Sequence, residues 1–520
     1  MEKIKRLVFL SAFVVALVMF TSCGQKHKDY IPADSKIVGK IDIKAFFEQT
    51  GADADKLMED IEDAFGDEKG FDISAVKEMG IDVKVPIYIF GRGKGANYSF
   101  GIVAKVDDED KVKDWFENNV KVDIDKEGDG FEYFAEGNSA IGINKDALVI
   151  IGTTGTDAKK EIKKIMGKEI DGDLGDNKLF DKVTDVNSFA CLYADLSIIS
   201  EDVAQMLERQ MPQLKENLEE IRKTTVGLDG NCSDGICDFA YWVESDDEKV
   251  QKKIDDAKDH LREIDEKGIN TIPEGALGGL AANIDGAKLS KTIKKSLEDA
   301  KLLDEIPSEY KDLLNTLLGV ISDIDGNLAG YMVAPLDMMF AVESKGNTAD
   351  KIAELINSIE NQSNVPSYAD YGSYADSVAT LSYEPAQFEY PDTDDVDFDD
   401  YEDYDFDYDS GYGSSSMTID RTTDGYCLSQ GYGSKYWFGN KNGALYFTNN
   451  ESLISSTFKK ADKPVPSEFV SFATSRRFIY FLNLGKVRDY TAAMDDDVKK
   501  AFNAFDEIVS KINYITFSMK

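Results

Sequence analysis

Val85-Pro86-Ile87-Tyr88-Ile89-Phe90 leads through Gly91-Arg92-Gly93-Lys94-Gly95 to Tyr98-Ser99-Phe100-Gly101-Ile102-Val103-Ala104-Lys105-Val106, and this stretch decides the fold class. Both flanks are rich in β-branched and aromatic residues, which suit a pleated surface, and the glycine-rich piece between them reads as a hairpin turn. A helix is expected next, from about Glu109 to Asn119. Ala147 to Gly152 reads as a short buried strand opened by an Asn144-Lys145-Asp146 turn. Residues 197–223 carry apolar side chains at helical spacing, with Pro212 interrupting. Hairpins mixed with helices predict an α+β fold with a largely antiparallel sheet, in preference to a doubly wound one.

Working outward, the pattern recurs. Ile31-Pro32 leading to Ile41-Asp42 resembles Ile272-Pro273 leading to Ile284-Asp285. Ile102 to Val106 followed by Asp110-Lys111-Val112 resembles Met339 to Glu343 followed by Asp350-Lys351-Ile352. Ala147-Leu148 matches Ala444-Leu445, and Leu192 to Leu196 matches Tyr480 to Leu484. Four stations in the same order predict an internal duplication: two related lobes, 31–265 and 268–520, each an antiparallel sheet with packed helices. The spacing between stations widens in the second copy, so it should carry an insertion. Composition places that insertion at about 361–417, where Tyr368, Tyr371 and Tyr374 precede a run from Pro385 to Gly413 with twelve acidic and no basic residues. Charge of one sign at this density opposes packing, so a disordered acidic, tyrosine-rich arm is expected, with at most weak Ca²⁺ binding.

A chain of 520 residues is too long for one core, and 42% hydrophobic residues are ordinary for a folded protein. The formal net charge is −39, which repels nucleic-acid phosphates and argues against nucleic-acid binding. Cations, basic proteins and neutral glycans are the partners such a charge admits.

The first 22 residues have a basic start (Lys3, Lys5, Arg6) and an apolar run from Leu7 to Phe20. That run is about 14 residues, roughly 21 Å as a helix, too short to span a bilayer. It reads as a signal peptide. Thr21-Ser22-Cys23 at its end is similar to the lipobox of bacterial lipoproteins, which implies that Cys23 becomes an acylated N-terminus. Two or three acyl chains hold a protein on a membrane durably where one does not. Residues 23–30 would then be a polar tether.

Catalytic chemistry is hard to place. Of the two histidines, His27 falls in that tether and His260 in a charged helix expected from Asp256 to Glu266, so triads and zinc sites lack their usual imidazole. Gly91 to Gly95 has neither P-loop nor dinucleotide spacing, and no cofactor is indicated. Asp123 to Asp129 brushes a calcium-loop pattern, but Phe134 stands where the bidentate glutamate belongs. No residue is singled out as catalytic or as a metal ligand. Cys232 and Cys237 flank a tight turn between strand-like runs and could form a disulfide across a hairpin. Cys191 reads as buried core, and Cys427 is unassigned.

The Thr-Ser-Cys-Gly end of the leader, with Tyr30-Ile31-Pro32-Ala33-Asp34-Ser35 and Val38-Gly39-Lys40-Ile41-Asp42, resembles a Bacteroidales lipoprotein family, a domain of unknown function numbered about 4836. The resemblance implies a location, the cell envelope, and transfers no functional residues. Surface-exposed lipoproteins of such bacteria carry acids just after the cysteine. The basic Lys26-His27-Lys28 here favours the periplasmic side of the outer membrane, with the cell surface as the alternative. The expected role is a non-enzymatic binding or structural module, engaging an envelope protein or a glycan through a groove between lobes. The alternative is an acid-dependent, glycan-directed hydrolase using a carboxylate pair between the lobes.

Overall fold

The computed structural model describes residues 26–65, 79–94, 97–170, 174–210, 215–299, 303, 306–333, 336–363, 418–430, 434–491 and 505–519. The leader, Cys23, Pro212 and the insertion from residue 364 onward lie outside the described residues.

The fold is α+β. The strands of the first half are β1 (Ile37–Ile41), β2 (Ile87–Lys94), β3 (Asn97–Lys105), β4 (Lys126–Glu127), β5 (Glu132–Glu136), β6 (Ser139–Ile143), β7 (Ala147–Thr154), β8 (Ala190–Asp195), β9 (Thr224–Ser233) and β10 (Ile236–Ser245). The second half supplies β11 (Leu261–Arg262), β12 (Gly278–Asp285), β13 (Ile324–Val333), β14 (Asp337–Ser344), β15 (Thr418–Thr422), β16 (Gly425–Gln430), β17 (Ser434–Lys441), β18 (Ala444–Thr448), β19 (Phe478–Asn483) and β20 (Tyr514–Met519).

Pairing in the first half runs β4-β5-β6-β7-β3-β2-β1-β8-β9, every contact antiparallel. In the second half it runs β15-β16-β17-β18-β14-β13-β12-β19-β20, again antiparallel. Strand for strand the order is the same, and each matched sequence station falls on strands with corresponding neighbours. Local detail recurs as well. Asp42 after β1 accepts a hydrogen bond from the Ala45 N–H, and Asp285 at the end of β12 accepts one from the Lys288 N–H.

The expected groove between separate lobes is replaced by a strand pair. β10 is antiparallel to β9 on one side and parallel to β20 on the other, so both halves belong to one 20-stranded sheet. The seam is polar where it is buried. The Asp238 carboxylate accepts from Thr516 Oγ1 at 2.8 Å, Ser518 Oγ at 2.9 Å and Arg476 Nη2 at 2.9 Å.

Both main cores lie on one face of this sheet. Val38, Tyr88, Phe90, Val149 and Tyr193 pack under helices Ala158–Met166 and Lys178–Asp185. Ala281, Tyr331, Ala341, Tyr446 and Phe481 pack with Phe469 and Ala473 of helix Ser467–Ala473.

Three expectations are corrected. Residues 26–30 are no free tether: they form a 3₁₀ turn in which His27 and Tyr30 are buried. Tyr30 and Ile31 bury their side chains in the first core, which helps to offset the chain entropy lost in ordering the turn. His260 is not helical, because the helix Glu248–Lys258 stops and Leu261–Arg262 pair with Ile284 and Asn283 of β12. Lastly, Gly91 and Gly93 belong to β2 itself. A Cβ on Gly91 would lie 2.9 Å from Phe100 and one on Gly93 2.3 Å from Tyr98, so the glycines make room for cross-strand rings.

Candidate functional site

The sheet face turned away from both cores carries the candidate site. Side chains alternate along a strand, so one parity fills the core and the other is left for solvent or a partner. Here the second parity is apolar too. From β10 outward through the first half, Tyr241, Leu228, Leu192, Gly39, Ile89, Ile102 and Ile150 stand directly opposite one another. From β10 through the second half, Phe239, Phe517, Tyr480, Leu280, Gly330, Phe340 and Phe447 do the same.

The two rows share β10 and make one strip across the seam, and none of these positions carries a charge. Much of it is open: Ile102 is 45% exposed, Leu192 43%, Tyr480 47% and Phe517 46%. Isolated exposed apolar residues are ordinary, but a contiguous strip of them marks a contact surface. Phe239 and Phe517 are stacked with ring centroids 5.4 Å apart, and Tyr436 and Phe447 at 5.5 Å. Gly330 admits the Phe340 ring as Gly91 admits Phe100, since an added Cβ would lie 2.5 Å from Phe340.

Near its middle the strip is bordered by a small core of Cys232, Cys237, Leu484, Val509 and Ile512, and at its first-half end Ile150 packs against a second one that contains Val112, Phe116, Ile141 and Leu148. Cys232 and Cys237 are directly opposed on β9 and β10 and joined by a disulfide. Asp234 and Gly235 of the connecting turn both have positive φ, which the two-residue hairpin requires. Cys191 is buried on the core face, where burial pushes its thiol up to about 11. Cys427 is buried as well. The strip itself was missed in the sequence. Its signal was the run of strands apolar at consecutive positions, such as Ala190-Cys191-Leu192-Tyr193-Ala194.

The chemistry of acids points elsewhere. Asp195, Asp246, Asp247, Asp259, Asp325, Glu343 and Glu507 are displaced below their ordinary values. Lysine partners do much of this, as Lys178 does for Asp246 and Lys56 for Glu507, whereas a general acid needs displacement upward. Among the described residues one cleft of about 450 Å³ lies beside Gln49, Asn187 and Asn231 and another of about 420 Å³ beside Tyr310, Leu317 and Ile359. Each lies within one half. Among the described residues no cluster of histidine, cysteine or acids is placed to hold a metal, and no helix is long and apolar enough to cross a membrane.

No curated protein and no solved structure matches the chain. Residues 28–516 match the family model described as a domain of unknown function, DUF4836, and the chain belongs to that family.

Proposed function

We propose that this protein is an envelope lipoprotein, anchored by acyl chains on Cys23, whose body is a non-catalytic docking module built from two copies of one unit. Its ligand is a protein with an apolar, uncharged contact surface. The observation that carries this reading is the uncharged strip from Ile102 through Tyr241 and Phe239 to Phe447 on the open sheet face. Aliphatic Leu192 and Leu228 border the run of rings on one side and Leu280 borders it on the other. They offer a sugar hydroxyl no partner, which favours a protein over a glycan. The leader with its Thr-Ser-Cys end supports export and anchoring to the outer membrane, facing the periplasm.

The test is photo-crosslinking in intact cells. A photoreactive residue at Leu228 should give one discrete partner band, and one at Lys435 should give none. Tyr480→Arg introduced alongside should abolish the Leu228 band, because the two positions share one strip. Loss of the band only on unfolding, or equal crosslinking at Lys435, would refute the docking module. Cys23→Ser should release the protein from membranes; unchanged membrane association would refute the anchor.

A further inference from the structure

We propose that the body lies directly on an anionic phospholipid leaflet, through a lysine patch built from helix Ala158–Met166, Lys168 and the 3₁₀ turn Lys26–Tyr30. This rests on the acyl anchor at Cys23 proposed above. In a chain of net charge −39 this region is locally inverted. The helix reads Ala-Lys-Lys-Glu-Ile-Lys-Lys-Ile-Met and buries Ile162, Ile165 and Met166. Its outward side presents exposed Lys159, Lys160 and Lys164, exposed Lys168 follows the helix, and exposed Lys26 opens the turn that Lys168 contacts through Asp29 and Tyr30. Glu161 does not offset them, because it is buried and held by Arg92 at 3.1 Å. Among the described residues the exposed acids of this surface are Asp29, Asp34, Asp157 and Glu169, and Asp34 is paired with Arg92 at 2.6 Å. Asp157 is engaged in capping the helix through the Lys159 and Lys160 N–H groups.

Geometry ties the patch to the anchor. Lys168 Nζ sits 4.4 Å from the Tyr30 ring centroid and 3.5 Å from Asp29. The turn is itself fastened to the body. His27 is buried, with Nε2 donating to the Pro86 carbonyl at 2.9 Å, and Asn144 donates to the Tyr30 hydroxyl at 2.8 Å. From Lys26 back to Cys23 is three residue steps, at most about 11 Å of chain. An acylated Cys23 therefore cannot hold the body away from the headgroups, and the surface next to the turn is the one that meets them. Acyl chains and a basic patch are complementary attachment signals. The negative remainder is repelled by the same leaflet, which sets the orientation. Helix Ala158–Met166 covers the core face of the sheet, so the apolar strip on the other face points away from the lipid.

The experiment uses the acylated full-length protein in vesicles of phosphatidylcholine alone and in phosphatidylglycerol-rich vesicles. Lysines are labelled with a membrane-impermeant amine reagent and mapped by mass spectrometry. Labelling of Lys159, Lys160 and Lys164 should fall about fivefold in the anionic vesicles and recover at high salt, as screening of a surface charge contact requires. Lys345 and Lys435 should be unaffected. Lys159→Glu/Lys160→Glu/Lys164→Glu, at exposed positions, should still float with both vesicles but abolish the protection of Lys168. Equal labelling of the patch in the two vesicles overturns the inference and leaves the anchor standing. Failure to float with phosphatidylcholine vesicles removes the anchor, and the inference falls with it.

Discussion

His27 shows how much one side chain can decide. Its ring is buried against Tyr88, its Nε2 donates to the Pro86 carbonyl, and its Nδ1 meets no hydrogen-bond partner among the described residues. Burial holds its pKa below the ordinary 6.5, against the opposing pull of the Pro86 hydrogen bond. A depressed folded pKa means that the unfolded chain takes up the proton first. The stability this group contributes is complete above about pH 6.5 and is lost as pH falls. His260 is displaced in the same direction, again by burial. The melting temperature should therefore decline from pH 7 to pH 5, and His27→Gln/His260→Gln, which leaves no histidine, should flatten that slope in a thermal scan. The Cys232–Cys237 bridge closes a short loop, so Cys232→Ser/Cys237→Ser should cost about 2 kcal/mol in urea titrations. The turn that brings these cysteines together is readable from Asp234-Gly235. The burial of His27 is not, because a histidine between two lysines reads as solvated.

Among the elements, the junction of β12 with the helix Gly286–Asp299 is the tightest case. A Cβ on Gly286 would lie 2.0 Å from the Ile321 carbonyl and 2.3 Å from that of Ile324, both backbone atoms that cannot rotate aside. Gly286→Ala should destabilise by about 1–3 kcal/mol. Gly275→Ala, with open space around it, should cost little, and parallel urea unfolding of the two variants checks the difference. The hairpin of β2 and β3 was legible from composition and alternation. Its turn was misplaced because the requirement for glycine comes from Phe100 and Tyr98 on the facing strand, a cross-strand contact invisible along the chain. The helix expected through His260 failed for a similar reason: Arg262 is drawn into register by the Ile284 carbonyl and Asp325.

For the whole molecule the seam between β10 and β20 matters most. Asp238 joins it to Thr516, Ser518 and Arg476, and Glu507 reaches across to Lys56 at 2.8 Å and to the Asp53 N–H at 2.9 Å. Two halves sharing a sheet and a buried carboxylate should unfold together. Calorimetry should show one cooperative transition. Asp238→Ala strands Arg476 and should lower stability by about 3 kcal/mol, separating the transition into two. A single transition of unchanged midpoint in that variant would show that the seam does not couple the halves.

Composition, alternation and recurrence by themselves determined the α+β class, the repeated order of stations, the excess of negative charge and the cysteines that face each other across a turn. All of these are local patterns or sums over the chain, and need no knowledge of what packs on what. The tertiary structure alone decided that the halves merge edge to edge, that Lys26 to Tyr30 dock into the first core, and that an apolar strip on the second face stays partly exposed. A strand apolar at every position reads as buried on both sides. Which side is covered depends on helices distant in sequence, and strand pairing across hundreds of residues leaves no mark in either partner.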